Sequence, residues 1–153
     1  MYKTILVPLD GSGRAEKILP HVEALAGQEK SKVILMQIIE PASAEFVPGL
    51  NSMVTPQELE IYWNSLKAAE ERALEYLQNK AADLEEKKIA VETVLQRGDA
   101  VNSIVSVAKE KNADLIAMAS HGRTGLSRVF YGSVANGVLH KVDRPLLLIR
   151  ATD

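Results

Sequence analysis

The sequence predicts an α/β fold: a five-stranded parallel sheet, strand order 3-2-1-4-5, with helices on both faces (Rossmann-like). Three observations carry that expectation. Apolar runs of strand length alternate with segments of helical period along all 153 residues, the pattern of a parallel sheet joined by crossover helices. The runs are near-continuously apolar, as strands covered on both faces are. No repeat, linker or low-complexity segment interrupts the order, so residues 1–153 read as one domain.

The first strand is Ile5-Leu6-Val7-Pro8-Leu9, which runs into the turn Asp10-Gly11-Ser12-Gly13. Ser12 is placed to cap the next helix. That helix carries Ile18, Leu19, Val22 and Leu25 on one face, and Gly27 is expected to stop it. Pro20 lies inside the pattern and predicts a kink or a later start of the regular part. Lys32 to Ile39 form the second strand. Residues 41–54 hold two prolines and a glycine and have no period, which reads as a loop.

Thr55-Pro56-Gln57-Glu58 is a strong helix start: Thr55 caps, Pro56 suits the first helical position, and Glu58 completes a capping box. Leu59, Tyr62, Trp63, Leu66, Ala73, Leu77 and Leu84 follow at helical spacing over about 30 residues, long enough to bend over the sheet. The Tyr62, Trp63 and Leu66 cluster is expected in the core. Ile89 to Leu95 alternate and are β-branched, so they form a third strand at a sheet edge. Asp99 caps a helix with Val101, Ile104, Val105 and Ala108 inward. Leu115 to Ala119 are the fourth strand, and the loop Ser120-His121-Gly122-Arg123-Thr124-Gly125 follows. Gly132-Ser133 opens a last helix with Val134, Val138 and Leu139 inward. Pro145 to Ile149 are the fifth strand.

Composition narrows the function classes. A net charge of −2 argues against a broad basic surface for nucleic acid. The absence of cysteine excludes disulfides, thiolate zinc sites and a cysteine nucleophile. No stretch approaches the roughly 18 to 20 apolar residues of a membrane span, and the opening apolar run is too short for a signal-peptide core. A cytoplasmic protein is expected. His21 and His140 fall on helices without partners at metal spacing, and His121 has no triad partner. No catalytic residue is assigned.

In doubly wound sheets, ligands bind beyond the carboxyl ends of the strands where strand order reverses. The two most polar, glycine-rich turns follow strands one and four, which flank that point. Gly122 and Gly125 let backbone amides approach an anion closely. Gly132-Ser133 stands at a helix start, where free amides and the helix dipole favour negative charge. Arg123 and Arg128 add charge-assisted bonds, and the Ser133 hydroxyl can meet a phosphate oxygen or a metal. Asp10, on the opposite lip, suits a ribose hydroxyl or a metal, and Pro8 and Ile38 suit a base. The plainer reading stays open beside this one: the glycines as ordinary turn residues, Ser133 as an N-cap and Asp10 as a capping carboxylate.

The segments Lys3-Thr4-Ile5-Leu6-Val7-Pro8-Leu9-Asp10-Gly11-Ser12, Ala113 to Gly125, and Tyr131-Gly132-Ser133-Val134-Ala135 through Arg144-Pro145-Leu146-Leu147-Leu148-Ile149 together resemble the universal stress protein family, in order and across the whole chain. The ATP-binding branch of that family has Gly-x-x-Gly, nine residues, then Gly-Ser or Gly-Thr. Gly122 fills the second glycine, nine residues (Arg123 to Tyr131) follow, and Gly132-Ser133 closes the pattern. Ala119 stands at the first glycine position.

The resemblance implies a stress-response or signalling protein that binds ATP, with Mg²⁺ or Mn²⁺. Asp10 and the backbone near Ile38 would contact ribose and adenine. Ala119, Gly122, Arg123, Gly132, Ser133 and Val134 would line the phosphates, and Pro8, Leu9, Met118, His121 and Gly125 complete the candidate set. It also implies a homodimer through the last strand, Leu146 to Ile149. That apolar edge would be an aggregation hazard if left uncovered. Slow hydrolysis is compatible, but no Walker lysine is present. The alternative is a nucleotide-free dimeric adaptor of the same fold, which Ala119 favours.

Overall fold

The computed structural model describes residues 1–40, 55–122 and 132–152. Five strands, β1 (Thr4–Leu9), β2 (Lys32–Ile39), β3 (Ala90–Arg97), β4 (Leu115–Gly122) and β5 (Leu146–Thr152), form one sheet in the order β3-β2-β1-β4-β5. Every pairing is parallel. The helices between them are α1 (Gly13–Glu16), α2 (Leu19–Glu29), α3 (Pro56–Glu85), α4 (Ala100–Glu110) and α5 (Ser133–Lys141).

The period-2 geometry of the strands divides the core in two. Ile5, Val7, Val33, Leu35, Leu115 and Ala117 face Ile18, Val22, Ala26, Leu77, Ala81 and Leu84, from the segment joining α1 to α2 and from α2 and α3. Leu6, Ile34, Met36, Ile116 and Met118 face Ile104, Val107, Ala108, Ala135 and Val138 of α4 and α5. Ile5, Leu6 and Val7 are fully buried, as the apolar run of β1 requires at the centre of the sheet. Each such side chain contributes about 1.5–3 kcal/mol by leaving water.

Local signals set several boundaries. Pro20 lies in the first turn of α2, where its missing N–H costs nothing, so the segment after β1 splits into α1 and α2. Gly27 does not end α2. The helix continues to Glu29, and Lys30, in the left-handed region at φ 54, closes it through its N–H to the Ala26 carbonyl. Thr55 and Glu58 make the reciprocal capping box. β4 extends through Ser120 and His121 to Gly122, pairing with Arg150, Ala151 and Thr152 of β5. These residues, read from sequence as loop, take strand geometry because β5 itself runs past Ile149 and supplies the ladder.

The expected core cluster on α3 is corrected. Trp63 is 51% exposed and Ile61 69%, and Tyr62 and Leu66 are only half-buried. The buried residues of α3, Ala73, Leu77, Ala81 and Leu84, all lie in its second half, where it crosses the sheet. Tyr62 and Trp63 pack edge to face with centroids 5.3 Å apart. Leu139 is corrected likewise: it is 47% exposed, and Val138 and Val142 take the inward positions.

A two-ended cavity at the carboxyl edge of the sheet

β1 and β2 stay paired as far as Leu9 and Gln37, whereas β1 and β4 pair only at Ile5–Leu115 and Leu6–Ile116. The parting of β1 from β4 opens a crevice at the point where strand order reverses. A cavity of about 470 Å³ lies there, within the usual size of small-molecule sites.

The turn after β1 forms the middle of its wall. Gly11, at φ 81, takes a conformation that side-chain-bearing residues rarely adopt. The Ser12 Oγ then accepts the Ala15 N–H at 3.1 Å and caps α1. The Asp10 Oδ1 accepts the Ser12 N–H at 2.9 Å and the Ser12 hydroxyl at 2.5 Å. The carboxylate is therefore oriented by its own turn, and no described residue hydrogen-bonds its Oδ2. Behind this lip, α3 is tied to α1: the Tyr76 hydroxyl donates to Glu16 at 3.0 Å and the Lys80 ammonium to the same carboxylate at 2.9 Å. Burial, with the charges of Glu16 and Asp10, holds the Tyr76 phenol above its ordinary range, so it stays a donor.

The two ends of the cavity differ. Met118, Ala119 and Ser120 of β4 and Gly132, Ser133, Val134 and Ala135 at the start of α5 line one end. Ser120 is buried and spends its hydroxyl on the Ile149 carbonyl at 3.2 Å. The N-cap of α5 is Gly132, with no side-chain cap bond, so among the described residues the first amides and the positive end of the helix dipole have no partner there. Pro8 and Leu9 of β1, Ile38 and Glu40 at the end of β2, and Ala100 and Ile104 of α4 line the other end. Here two of the first helix amides already have side-chain acceptors. Asp99 Oδ1 accepts the Asn102 N–H at 2.8 Å, and Glu40 Oε1 accepts the Ala100 N–H at 3.2 Å.

Of the candidate residues, Pro8, Leu9, Asp10, Ile38, Met118, Ala119, Gly132, Ser133 and Val134 share this cavity. His121 and Gly122 are strand residues of β4, paired with Ala151 and Thr152, and Arg123 and Gly125 lie outside the described residues. Ala119 is a strand residue paired with Ile149, and its φ is not positive. Ala15, Glu40, Ala100, Ile104, Ser120 and Ala135 line the cavity but were not singled out in sequence. The available signal was positional, since each lies just after a strand end or in the first turns of a helix on the carboxyl side. No cluster of three metal-ligating side chains occurs among the described residues, and no described helix is long and apolar enough to cross a membrane.

The universal stress protein family model matches residues 1–150. The universal stress protein MJ0577 of Methanocaldococcus jannaschii is 33% identical over 159 aligned residues, covering 98% of this chain and 96% of the relative. The solved structure of MJ0577 superposes with a TM-score of 0.81 at 29% identity, covering 100% and 99% of the two chains. Two more distant structures share the fold. A universal stress protein from Archaeoglobus fulgidus in complex with dAMP has a TM-score of 0.64 at 20% identity, covering 97% and 98%. A universal stress protein in complex with cAMP has a TM-score of 0.63 at 21% identity, covering 99% and 98%.

Proposed function

The chain belongs to the universal stress protein family, and from that membership we propose that it binds an adenine nucleotide, ATP first, in the cavity at the carboxyl edge of the sheet. One observation carries the reading: an anion-ready helix start, a pre-oriented carboxylate and apolar side chains line a single cavity. The phosphates lie at the uncapped start of α5, where the amides of Ser133 and Val134 and the Ser133 hydroxyl supply donors. Asp10 Oδ2 accepts a ribose hydroxyl in the middle. The base packs among Pro8, Ile38 and Ile104. Bound dAMP and cAMP in fold relatives support adenine nucleotides as the ligand class.

A divalent cation fits the donor set in a limited way. Mg²⁺ binds through one or two carboxylates, waters and the phosphates of its nucleotide rather than an all-protein cage. Asp10 and Ser133 are the residues that would hold Mg²⁺ or Mn²⁺, which would neutralise phosphate charge. The protein acts as a nucleotide-dependent element of a stress-response or signalling system in the cytoplasm. It pairs with a second copy through β5, whose Leu146 to Ile149 are only half-buried at the sheet edge.

The test is mass analysis of ligand released from purified protein by heat, with calorimetry against ATP. Micromolar-scale affinity is expected, weakened about tenfold or more in Ser133→Ala, the loss of one hydrogen bond to a charged group. No binding at millimolar ATP refutes the proposal.

A further inference from the structure

We infer that Glu16 is a positioning residue for the ribose: held by Tyr76 and Lys80 of α3, it seats the one-turn helix α1, whose leading turn aims Asp10 into the cavity. The role rests on the nucleotide reading, in which Asp10 accepts a ribose hydroxyl, and it names the contact outside the cavity that sets the strength of that bond.

Hydrogen bonds run without a gap from α3 to Asp10. The Tyr76 hydroxyl donates to Glu16 Oε1 at 3.0 Å and the Lys80 ammonium to Oε2 at 2.9 Å, so both carboxylate oxygens are engaged. Tyr76 and Lys80 are four residues apart and share a helix face. The ammonium lies 5.8 Å from the Tyr76 ring centroid. Both stand in the half of α3 that carries the buried Leu77 and Ala81, so the donors are held by a packed element. From the other side, the Glu16 N–H donates to the Ser12 carbonyl at 3.2 Å. Ser12 Oγ accepts the Ala15 N–H at 3.1 Å. Ser12 then gives its own N–H and hydroxyl to Asp10 Oδ1.

α1 needs such a tether. A single helical turn does not hold its shape alone, because nucleation is unfavourable. None of the four residues of α1 is buried, and Ala15 packs only in part against the core. The bonds of the turn orient the Asp10 carboxylate relative to α1. Its direction across the cavity depends on where α1 sits on the sheet, and hydrogen bonds weaken steeply as their angle departs from the ideal. The Lys80 and Glu16 side chains are 24% and 28% exposed, so solvent screens this pair less than an open surface pair. The charge of Asp10 adds to burial and to Glu16 in holding the Tyr76 phenol above its ordinary range. The α3 donor therefore lies within electrostatic reach of the carboxylate it helps to aim.

Two variants cut the tether from opposite sides. Glu16→Ala removes the acceptor, and Tyr76→Phe combined with Lys80→Met removes both donors while leaving α1 untouched. Calorimetry compares ATP with 2′,3′-dideoxy-ATP, which lacks both ribose hydroxyls, and circular dichroism checks the fold. The unsubstituted protein should bind ATP about tenfold more tightly or better, the worth of a hydrogen bond to a charged group. Each variant should lower that ratio by about threefold or more and leave the affinity for dideoxy-ATP within about twofold, since only the aimed bond is lost. A tether that served the fold alone would weaken both ligands alike and leave the ratio unchanged. In an Asp10→Ala background, Glu16→Ala should shift ATP affinity by less than about twofold, because its effect passes through Asp10. An unchanged ratio in either folded variant overturns the inference, and so does loss of the fold in both. Equal affinity of the unsubstituted protein for ATP and dideoxy-ATP overturns it too, while leaving ATP in the cavity. No binding at millimolar ATP overturns the nucleotide reading and this inference together.

Discussion

Replacing Gly137 by alanine should force α4 and α5 apart. A Cβ built on Gly137 lies 2.6 Å from Val101 Cγ2, 3.3 Å from Cγ1 and 3.5 Å from Cβ. Carbon atoms in contact rest at about 3.5–4.0 Å, so the helices must separate by about 1 Å. Val101 cannot turn aside, because a β-branched residue in a helix holds one χ1 well and its other methyl is also in contact. Overpacking of this kind costs about 1–3 kcal/mol. Alanine returns about 0.5–1 kcal/mol through helix propensity, leaving a net loss of about 0.5–2 kcal/mol. At about 2–4 °C per kcal/mol for a chain of this size, the melting temperature should fall by about 1–8 °C. The first turns of both helices line the cavity, so ATP affinity should fall with it. Thermal unfolding followed by circular dichroism is the assay, with Val101→Ala as the compensating change. The two substitutions share one contact, and the double variant should recover most of the loss left by Gly137→Ala relative to Val101→Ala. A Gly137→Ala variant melting at or above the unsubstituted protein would refute the close-packing argument.

Two further outcomes follow from particular contacts. Ala119 takes ordinary strand geometry, so Ala119→Gly should change ATP affinity by less than about threefold while costing about 0.5–1 kcal/mol of stability. A tenfold gain in affinity would instead show that the methyl obstructs the site, and would favour the adaptor reading. Glu92 accepts the Lys111 ammonium at 2.7 Å and that of Lys32 at 2.5 Å, and these bonds hold its carboxyl below the ordinary 4.5. A lowered folded-state value stabilises above the unfolded value and is lost as pH falls through the folded one. The side chains are partly exposed, so Glu92→Gln should cost about 1 kcal/mol or less at neutral pH. Melting temperatures of the two proteins should converge as pH drops below 4.5, and a gap that persists unchanged into strong acid would contradict the assignment.

Local chemistry decided much of this protein before any long-range contact formed. The apolar runs of β1, β2 and β4, the Thr55–Glu58 capping box, the Asp99 cap and the Pro20 break each depend on neighbours a few residues away, so each is legible in the chain itself. The same holds for the two polar turns beside the strand-order reversal, because their glycines and Asp10 carry their chemistry locally. Tertiary structure decided the rest. Trp63 looks like core by period, yet its half of α3 lies away from the buried stretch, and helical spacing says which residues share a face but not what that face meets. Gly27 has the residue type of a helix stop, but Lys30 closes the helix instead. Ser120 and His121 read as loop, yet the length of β5 draws them into the ladder. Glu40 and Ala100 are 60 residues apart, and only the register of β2 beside β1 and the seat of α4 bring that carboxylate to that amide. A sequence displays the donors and acceptors a site can use; the packing of the sheet and helices determines which of them are already spent on one another and which remain for a ligand.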